Sequence, residues 1–374
     1  MRYAMQAFTS VVERALVGIA LLMIAAACSH EEPFVREPLD PAHAPAPSAD
    51  EIRQRVILIG DAGAPSLDGE PVLLVVNEFA SLAPDRTAVV FLGDNIYPAG
   101  LPAPDAPGRR AAELALEAQL AAAGDARALF IAGNHDWGFT EAEGTASLER
   151  QSAWLSARSA QLTPQAGCPG PSIHDFDALR LVALDTQWWL ESEARRSHCP
   201  PRQSAQALSL DERTAAALST ADDRPVVVVG HHPLRSRGPH GGFFTLQDWL
   251  IPSRPGSRRW RNVVPPLPGM GPLWRVLSRS EQDLRSEENT RLRERIGRAL
   301  ASNPPLLYAA GHEHSLQVFD GGRFASLQVV SGAGSSEQAT PLGHDSQTLF
   351  DHQHPGFMVL DVMEDAALLR VIEH

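Results

Sequence analysis

Cysteine is scarce in this chain, with three copies among 374 residues, and no cysteine lies at a spacing typical of metal ligands. Zinc binding by thiolates is therefore not expected. Once Cys28 is set aside, Cys168 and Cys199 form an even pair, and in an oxidising compartment such a pair predicts a disulfide. Two free, buried thiols are the alternative.

Positive charge is also in short supply. Lys and Arg together number 32 against 45 Asp and Glu, which gives a formal net charge of −13. This balance disfavours a surface that neutralises nucleic-acid phosphates, and we expect no nucleic-acid partner. It does not exclude a small anionic substrate, because bound metal ions can supply positive charge locally.

Long apolar runs are missing except near the N-terminus. Arg2 and Arg14 precede an apolar run over residues 15–27, which is too short for a permanent transmembrane helix and predicts a secretory signal peptide over residues 1–27. Three alanines and Cys28 end the run and resemble a bacterial lipobox, with alanine in place of the usual leucine. We therefore expect a lipid anchor at Cys28 and a location in the bacterial cell envelope. The alternative is an ordinary signal peptide, with Cys28 incidental.

The residues that follow carry no apolar period. Residues 28–52 are rich in proline, alanine and acidic side chains, and they predict a flexible tether before a single domain over residues 53–374. Residues 241–285 contain three tryptophans and an arginine-rich run, and they predict an inserted loop or subdomain with a function. A surface excursion packed by its own aromatic residues is the alternative.

Within the domain, short apolar runs alternate with helical stretches, which is the pattern of an α/β protein. The predicted strands are 55–59, 88–92, 128–132, 179–184, 226–229, 306–309, 324–330, 356–360 and 367–372, and the predicted helices are 70–81, 109–123, 146–158, 209–219 and 286–301. No long helix separates the later strands, so we expect more antiparallel pairing in the C-terminal half. Two facing mixed sheets flanked by helices, a four-layer αββα sandwich, satisfy both halves.

Five short polar segments each follow a predicted strand directly. They are GDAG (60–63), GDNIY (93–97), GNHDW (133–137), VVGHHP (228–233) and GHEH (311–314). In open α/β sheets, the residues beyond the carboxyl ends of the strands converge on one crevice. Taken singly, each segment is a weak signal, because a GD pair is common at turns and a lone histidine is usually a polar core or surface residue. Taken together, Asp, Asn and His donors from five loops can enclose two cations.

In this order the five segments resemble the calcineurin-like metallophosphoesterases, from about residue 55 to about residue 315. Most members of that superfamily begin with D-x-H and lack a tyrosine after the second aspartate. Here Gly63 takes the place of that histidine and Tyr97 follows Asp94, which is the pattern of the purple acid phosphatases.

The resemblance to the purple acid phosphatases implies which residues bind which ion. It assigns a ferric ion to Asp61, Tyr97 and His314, a divalent ion of iron, zinc or manganese to Asn134, His231 and His312, and the bridging position to Asp94. Chemistry favours iron beside the tyrosine, because a phenol with a pKa of about 10 must lose its proton to coordinate and a trivalent ion has the charge to remove it. The alternative for Tyr97 is an aromatic residue that packs in the turn.

Two cations bridged by one carboxylate can clamp a phosphate ester and convert a bound water to hydroxide. The resemblance thus implies hydrolysis of phosphate monoesters without a covalent intermediate. A phosphodiesterase or nucleotidase on the same metal core is one alternative. A non-catalytic, surface-tethered binding protein is another.

Two histidines are candidates for protonating the leaving group. His135 lies beside a predicted ligand, and Asp136 is expected to orient its ring. His240 lies nine residues after His231 and matches a substrate-contacting histidine at the same spacing in the purple acid phosphatases. His232 ranks below these two, because the alternative for it is a solvent-facing neighbour of the ligand.

Overall fold

A computed structural model of the chain describes residues 32–36, 45–66, 69–138, 144–192, 199, 209–219, 221–244, 273, 275, 280–335 and 340–374. The predicted signal peptide, the predicted lipid site at Cys28 and most of the predicted insertion over residues 241–285 lie outside the described residues. Among the residues described, no helix is long and apolar enough to cross a membrane.

The apolar runs of the sequence become strands, and the helical stretches become helices between them. The strands are β1 (Phe34–Val35), β2 (Gln54–Ile59), β3 (Thr87–Phe91), β4 (Arg127–Phe130), β5 (Gln161–Leu162), β6 (Ser172–Asp175), β7 (Arg180–Ala183), β8 (Val226–Val229), β9 (Leu307–Ala310), β10 (Leu316–Asp320), β11 (Leu327–Ser331), β12 (Thr348–His352), β13 (Gly356–Val362) and β14 (Ala367–Glu373). The helices are α1 (Pro71–Ser81), α2 (Arg109–Ala123), α3 (Gly144–Ser156), α4 (Leu210–Ser219) and α5 (Glu287–Ala301). Short 3₁₀ turns lie at Pro84–Arg86, Gln187–Trp189 and Pro239–Gly241.

The strands form two mixed sheets. The first has the order β14-β13-β2-β3-β4-β5, and its strands β2 to β5 run parallel while β13 pairs antiparallel with β2 and β14. The second has the order β1-β12-β10-β11-β9-β8-β7-β6, with parallel pairing among β7, β8, β9 and β11. The other pairs of the second sheet are antiparallel. The expected shift toward antiparallel pairing in the C-terminal half is confirmed.

Side chains on opposite faces of each buried strand pack into different layers of the fold. In β2, Val56 and Leu58 pack against apolar residues of the second sheet, while Ile57 and Ile59 pack against helices α1 to α3. On the far side of the second sheet, Val228 belongs to a third cluster with residues of α4 and α5. Successive side chains of a strand point to opposite faces, so each sheet is covered by helices on one face and by the other sheet on its second face. The predicted αββα sandwich is confirmed.

Part of the predicted tether belongs to the sheet. Phe34 and Val35 pair antiparallel with Asp351 and Phe350 of β12, and Arg36 donates a hydrogen bond from Nε to a carbonyl oxygen of the same region at 2.6 Å. Phe34 and Val35 are thus part of the sheet, although they lie within the predicted tether. The other strands without a counterpart in the prediction, β5, β6, β10 and β12, have two to five residues each.

The two cysteines outside the N-terminal segment are joined. Cys168 and Cys199 form a disulfide, with their Cα atoms 4.9 Å apart, across a sequence separation of 31 residues. The bridge ties the chain that follows β5 to the chain that follows β7, and it needs an oxidising compartment to persist.

A buried ion pair holds the strand that carries the first motif. Arg55 of β2 and Asp361 of β13 are register partners, and both side chains are completely buried. The Arg55 guanidinium donates to Asp361 through Nε at 2.6 Å and Nη2 at 3.2 Å, and it donates to the Phe79 carbonyl at 2.8 Å. Because this guanidinium is enclosed, its charge depends on the partner carboxylate.

We predict that Asp361→Asn lowers the free energy of unfolding by about 3–5 kcal/mol, since it leaves a buried guanidinium without a counter-charge. Equilibrium urea denaturation measures this loss. The matched control is Glu364→Gln, because Glu364 pairs with Arg53 at the surface, where the two side chains are 76% and 56% exposed. The control should change stability by less than about 1 kcal/mol. Equal effects in the two variants would contradict the assigned role of the buried pair.

Candidate metal centre

The five polar segments meet at the carboxyl ends of the central strands. Asp61 follows β2, Asp94 follows β3, and the backbone N–H of Asp61 donates to the Gly93 carbonyl at 3.0 Å. On the second sheet, the Gly311 N–H donates to the His231 carbonyl at 3.1 Å. Each of these bonds joins the loops that follow two neighbouring strands of one sheet.

Three of the residues in these loops have strained backbones. The φ angles of Asp61, Asp94 and His312 are 59°, 54° and 71°, in the left-handed region that residues with a Cβ rarely adopt. Each such residue costs about 1–3 kcal/mol and persists where the surrounding structure demands it, typically at functional sites.

One group of ligand atoms surrounds the Tyr97 hydroxyl. Its oxygen lies 3.1 Å from Oδ1 of Asp61, 3.2 Å from Oδ2 of Asp94 and 3.2 Å from Nε2 of His314. The Nε2 of His314 lies 3.3 Å from Oδ1 of Asp61. A single O–H proton cannot satisfy three electron-rich neighbours at once, so the group is well suited to surround a cation.

A second group of ligand atoms is formed by Asn134, His231 and His312. Asn134 Oδ1 lies 3.0 Å from Nε2 of His231 and 3.1 Å from Nδ1 of His312, and the two nitrogens are 3.2 Å apart. The opposite ring nitrogens face the Leu92 and Gln282 carbonyls at 2.9 Å each. A carbonyl can only accept, so those nitrogens carry protons and the inward nitrogens can present lone pairs.

The spacing of both groups fits metal coordination. Bonds of about 2.0–2.2 Å to one ion place neighbouring ligand atoms about 3 Å apart. The distances within each group, 3.0 to 3.3 Å, have this size. Asp94 Oδ2 lies 3.2 Å from the Tyr97 hydroxyl and 3.5 Å from Nε2 of His231, so one carboxylate touches both groups.

When no cation is bound, protons on the ligand side chains reduce the repulsion between their electron-rich atoms. Burial raises the pKa of Tyr97, and the charges of Asp61 and Asp94 raise it further, so it lies well above its ordinary value. Burial lowers the pKa of His231, but the Asp94 charge outweighs this and raises it to about 9. Burial likewise opposes ionisation of Asp94, yet the charges of His231 and His135 hold its pKa below the usual range. A cation bound in this group would therefore have to displace the Tyr97 proton before the phenol oxygen could coordinate it.

Gly63 explains how Tyr97 reaches the group. A Cβ on Gly63 would lie 2.5 Å from backbone atoms of Asn95 and Ile96, far inside contact distance. The Tyr97 N–H donates to the Gly63 carbonyl at 3.2 Å. The first loop is therefore packed directly on the backbone of the second, and a side chain at position 63 has no room in this arrangement.

The structure separates His135 from Asp136. The ring of His135 lies 4.4 Å from the ring of Tyr97, its Nδ1 lies 2.6 Å from the Pro98 carbonyl, and its Nε2 lies 3.9 Å from Asp94 Oδ2. Its backbone N–H donates to Asp94 Oδ1 at 2.9 Å. His135 thus stands over the Tyr97 side of the centre.

Asp136 does not orient that ring, contrary to the expectation from sequence. It is fully buried and accepts hydrogen bonds from the Asn95 N–H, the Asn95 side-chain amide and the Gly133 N–H at 2.8 to 3.2 Å. Adjacent residues in a turn point in different directions, and this carboxylate points inward to join the second and third loops. Burial raises its pKa to about 7, and the neighbouring Asp94 charge adds to the shift.

His240 lies on the other side of the centre. The centroids of its ring and the ring of the ligand His312 are 4.0 Å apart. Its Nδ1 lies 3.0 Å from Oδ1 of Asp283 and 2.7 Å from Nη2 of Arg275. Arg275 and Asp283 lie near the C-terminal end of the predicted insertion. No local sequence pattern predicted their contact with the site.

His232 is buried, so the alternative of a solvent-facing neighbour is wrong. Its Nδ1 lies 2.9 Å from the Thr186 hydroxyl and its Nε2 lies 2.8 Å from Oε1 of Gln282. It can join His231 and His312 in a group whose ligand atoms lie within 4.8 Å of one another. Because both ring nitrogens of His232 have partners, the group with Asn134 is the better site. Burial lowers the pKa of His232 to about 3, so the ring is neutral.

Glu313 is a site residue that the sequence reasoning missed. It stands between His312 and His314 and is fully buried, with Oε2 accepting from the Ser236 hydroxyl and the His240 N–H at 2.9 Å each. This carboxylate fixes the loop that carries His240. One sequence signal could have identified it. In GHEH the two predicted ligands are separated by one residue, so the glutamate between them is expected to point away from the metal centre and to have a structural role.

The comparisons with known proteins identify the family of the chain. A family model of the calcineurin-like phosphoesterases matches residues 55–316, and the chain therefore belongs to this family. A search of curated proteins by sequence found no match.

Solved structures resemble this chain at low identity. Purple acid phosphatase PPD1 from yellow lupin seeds has 14% identity and a TM-score of 0.52, over 86% of this chain and 51% of the lupin chain. GAP50, the anchor in the inner membrane complex of Plasmodium, has 16% identity and a TM-score of 0.47, over 86% and 85%. A 5'-nucleotidase precursor from Thermus thermophilus has 9% identity and a TM-score of 0.38, over 86% and 54%. This chain thus spans about half of the lupin and Thermus chains. The similarity to the lupin structure concerns the fold alone.

We predict that Gly63→Ala costs about 1–3 kcal/mol of stability by forcing the two loops apart, and that the purified variant retains less metal after dialysis because Tyr97 is displaced. Metal analysis and thermal denaturation measure both effects. The control is Gly322→Ala, where φ is +58° and nothing lies within 4 Å of the added Cβ. That change carries backbone strain of about 1–2 kcal/mol without touching the loops. Full metal retention in Gly63→Ala would overturn the packing argument.

Proposed function

We propose that this calcineurin-like phosphoesterase hydrolyses phosphate monoesters at a dinuclear metal centre held by the two ligand groups described above. The observation that supports this best is the position of Asp94, whose carboxylate touches both groups. A shared carboxylate brings two cations close enough to act on one phosphate group.

We assign a ferric ion to the group of Asp61, Tyr97 and His314, and a divalent ion of iron, zinc or manganese to the group of Asn134, His231 and His312. Phenolate and carboxylate oxygens are hard anionic donors and favour a trivalent ion, whereas imidazole and amide donors suit several divalent ions. When bound, the two ions would lower the pKa of a coordinated water and stabilise the charge that develops on the phosphoryl oxygens.

Two histidines frame the position for the phosphate group. His135 has its Nδ1 on the Pro98 carbonyl, so that nitrogen carries a proton and Nε2 is the atom that can exchange a proton with a leaving group. His240 faces the other ligand group, with its ring beside His312 and its Nδ1 beside Asp283. We infer that His135 and His240 bind the ester oxygens and that one of them protonates the departing alcohol.

The N-terminal pattern adds a location to the proposal. A lipid anchor at Cys28 would hold the enzyme in the bacterial cell envelope, and the Cys168–Cys199 disulfide is compatible with such an oxidising compartment.

We predict that Asp94→Asn and Asn134→Ala each lower kcat/KM for p-nitrophenyl phosphate by about 1000-fold, since the ions supply several kcal/mol of transition-state stabilisation. Metal content should fall in parallel. Glu364→Gln, the exposed change from carboxylate to amide, is the control and should retain the activity of the parent.

The same assays separate the alternatives. Faster hydrolysis of bis(p-nitrophenyl) phosphate than of the monoester would replace the proposal with a phosphodiesterase. Purified protein without iron, zinc or manganese and without activity on either ester would leave a non-catalytic binding protein.

We also predict that the iron-loaded protein shows a visible tyrosinate-to-iron charge-transfer band, and that Tyr97→Phe abolishes it, because the ring then has no oxygen to coordinate. Absorption spectroscopy measures the band. Tyr308→Phe is the matched control, since the buried Tyr308 hydroxyl donates to the His232 carbonyl at 2.9 Å and touches neither ligand group. A band of equal strength in Tyr97→Phe would remove Tyr97 from the ligand set.

A further inference from the structure

The chain returns from the predicted insertion directly against the metal centre. Residues 280–286, here called the return segment, lead into helix α5. The Gln282 carbonyl faces Nε2 of His312 at 2.9 Å, and the Leu284 N–H donates to the His240 carbonyl at 2.9 Å. Asp283 adds the 3.0 Å contact to Nδ1 of His240. Three contacts therefore fix the position of the return segment relative to one ligand and one candidate catalytic histidine.

A small cavity lies between the return segment and the His240 turn. Its volume is about 50 Å³, and His240, Gly242, Arg275, Asp283 and Arg285 are among the residues that line it. One water molecule takes up about 30 Å³ in the liquid, so the cavity has room for a group such as a carboxylate but not for a sugar or a base. Because His240 lines this cavity and also packs on His312, the cavity adjoins the metal centre.

The cavity has a positive lining. Arg275 donates to Asp283 Oδ1 from Nε and Nη2 at 3.1 Å each. The positive charge of Arg275 is therefore neutralised by the negative charge of Asp283. Arg285 is exposed and makes no ion pair with any acidic side chain in the described part of the chain. One guanidinium charge is therefore left to act on the cavity, beside His240.

Gly242 makes room for that guanidinium. Its φ is +84°, and a Cβ added there would lie 2.3 Å from Cζ and Nε of Arg285. The Arg285 guanidinium thus lies against the backbone of Gly242, at the edge of the cavity that His240 also lines. A guanidinium is suited to carboxylate and phosphate oxygens because its donors form a planar fork.

We propose that this cavity is a subsite for a second anionic group of the substrate, with Arg285 as the residue that binds it. The proposal rests on the proposed phosphomonoesterase function and deepens it: the preferred substrates are phosphate monoesters that carry a carboxylate or a second phosphate close to the scissile group. Arg285 is then a specificity residue, because it contacts only the part of the substrate that does not react.

The test compares two substrates that differ in one anionic group, 3-phosphoglycerate and glycerol 3-phosphate. In the parent enzyme, KM should be lower for 3-phosphoglycerate. Arg285→Gln should raise that KM about tenfold, the size of one hydrogen-bonded charge contact, and change KM for glycerol 3-phosphate less than about twofold. Arg285→Lys should lie between parent and Gln, and Arg285→Glu should exceed Gln. Arg323→Gln, an exposed arginine in the turn between β10 and β11, is the control and should change neither KM.

A binding measurement separates this proposal from the proposed function. Calorimetric titration with 3-phosphonopropionate and propylphosphonate, which are not hydrolysed, should show tighter binding of the carboxylate compound and loss of that difference in Arg285→Gln. Equal effects of Arg285→Gln on both compounds, or no effect on either, would overturn the subsite. If the parent protein hydrolyses neither ester yet distinguishes the two phosphonates through Arg285, the catalytic proposal fails and the subsite stands.

Discussion

Electron-rich side chains crowd together at the carboxyl ends of the central strands, and the rest of the structure serves to keep them there. Two ligand groups share Asp94, with distances of about 3 Å between donor atoms inside each group. Such an arrangement is repulsive unless protons or cations lie between the donors. The strained φ angles of Asp61, Asp94 and His312 and the bonds that link the loops are the structural cost of holding it.

The position of Tyr97 depends on backbone packing between two loops. Gly63 lies against the backbone of residues 94–96, where an added Cβ would come within 2.5 Å of three backbone atoms. The missing Cβ in the first loop therefore allows the close approach of the second loop, which carries Tyr97. Replacement of Tyr97 removes a donor atom, and replacement of Gly63 causes a clash between the loops.

Much of this arrangement could be predicted because it depends on local pattern. Strand β8 is a continuous apolar run and helix α2 has apolar residues at helical spacing, so both could be predicted. Ligands that directly follow strands are positioned by the sheet. The short edge strands β5 and β6 were not predicted, since two to four residues carry too little periodicity. Asp136 was assigned the wrong partner because sequence adjacency does not give the direction of a side chain in a turn. Gln282 acts through a tertiary contact that no local pattern encodes, and Glu313 had only the alternation of GHEH as a signal.

The predicted insertion lies at a point in the chain where added length does not disturb the metal ligands. It separates His231 after β8 from His312 after β9, two neighbouring parallel strands that need a crossover connection in any case. Length added to that crossover leaves both ligands attached to their strands, so the metal groups keep their geometry while the crossover varies. Its return segment then passes within hydrogen-bonding distance of His312 and His240. Under the proposed function, residues of this segment would alter which esters bind without altering any donor atom, so substrate choice and metal binding would depend on different residues.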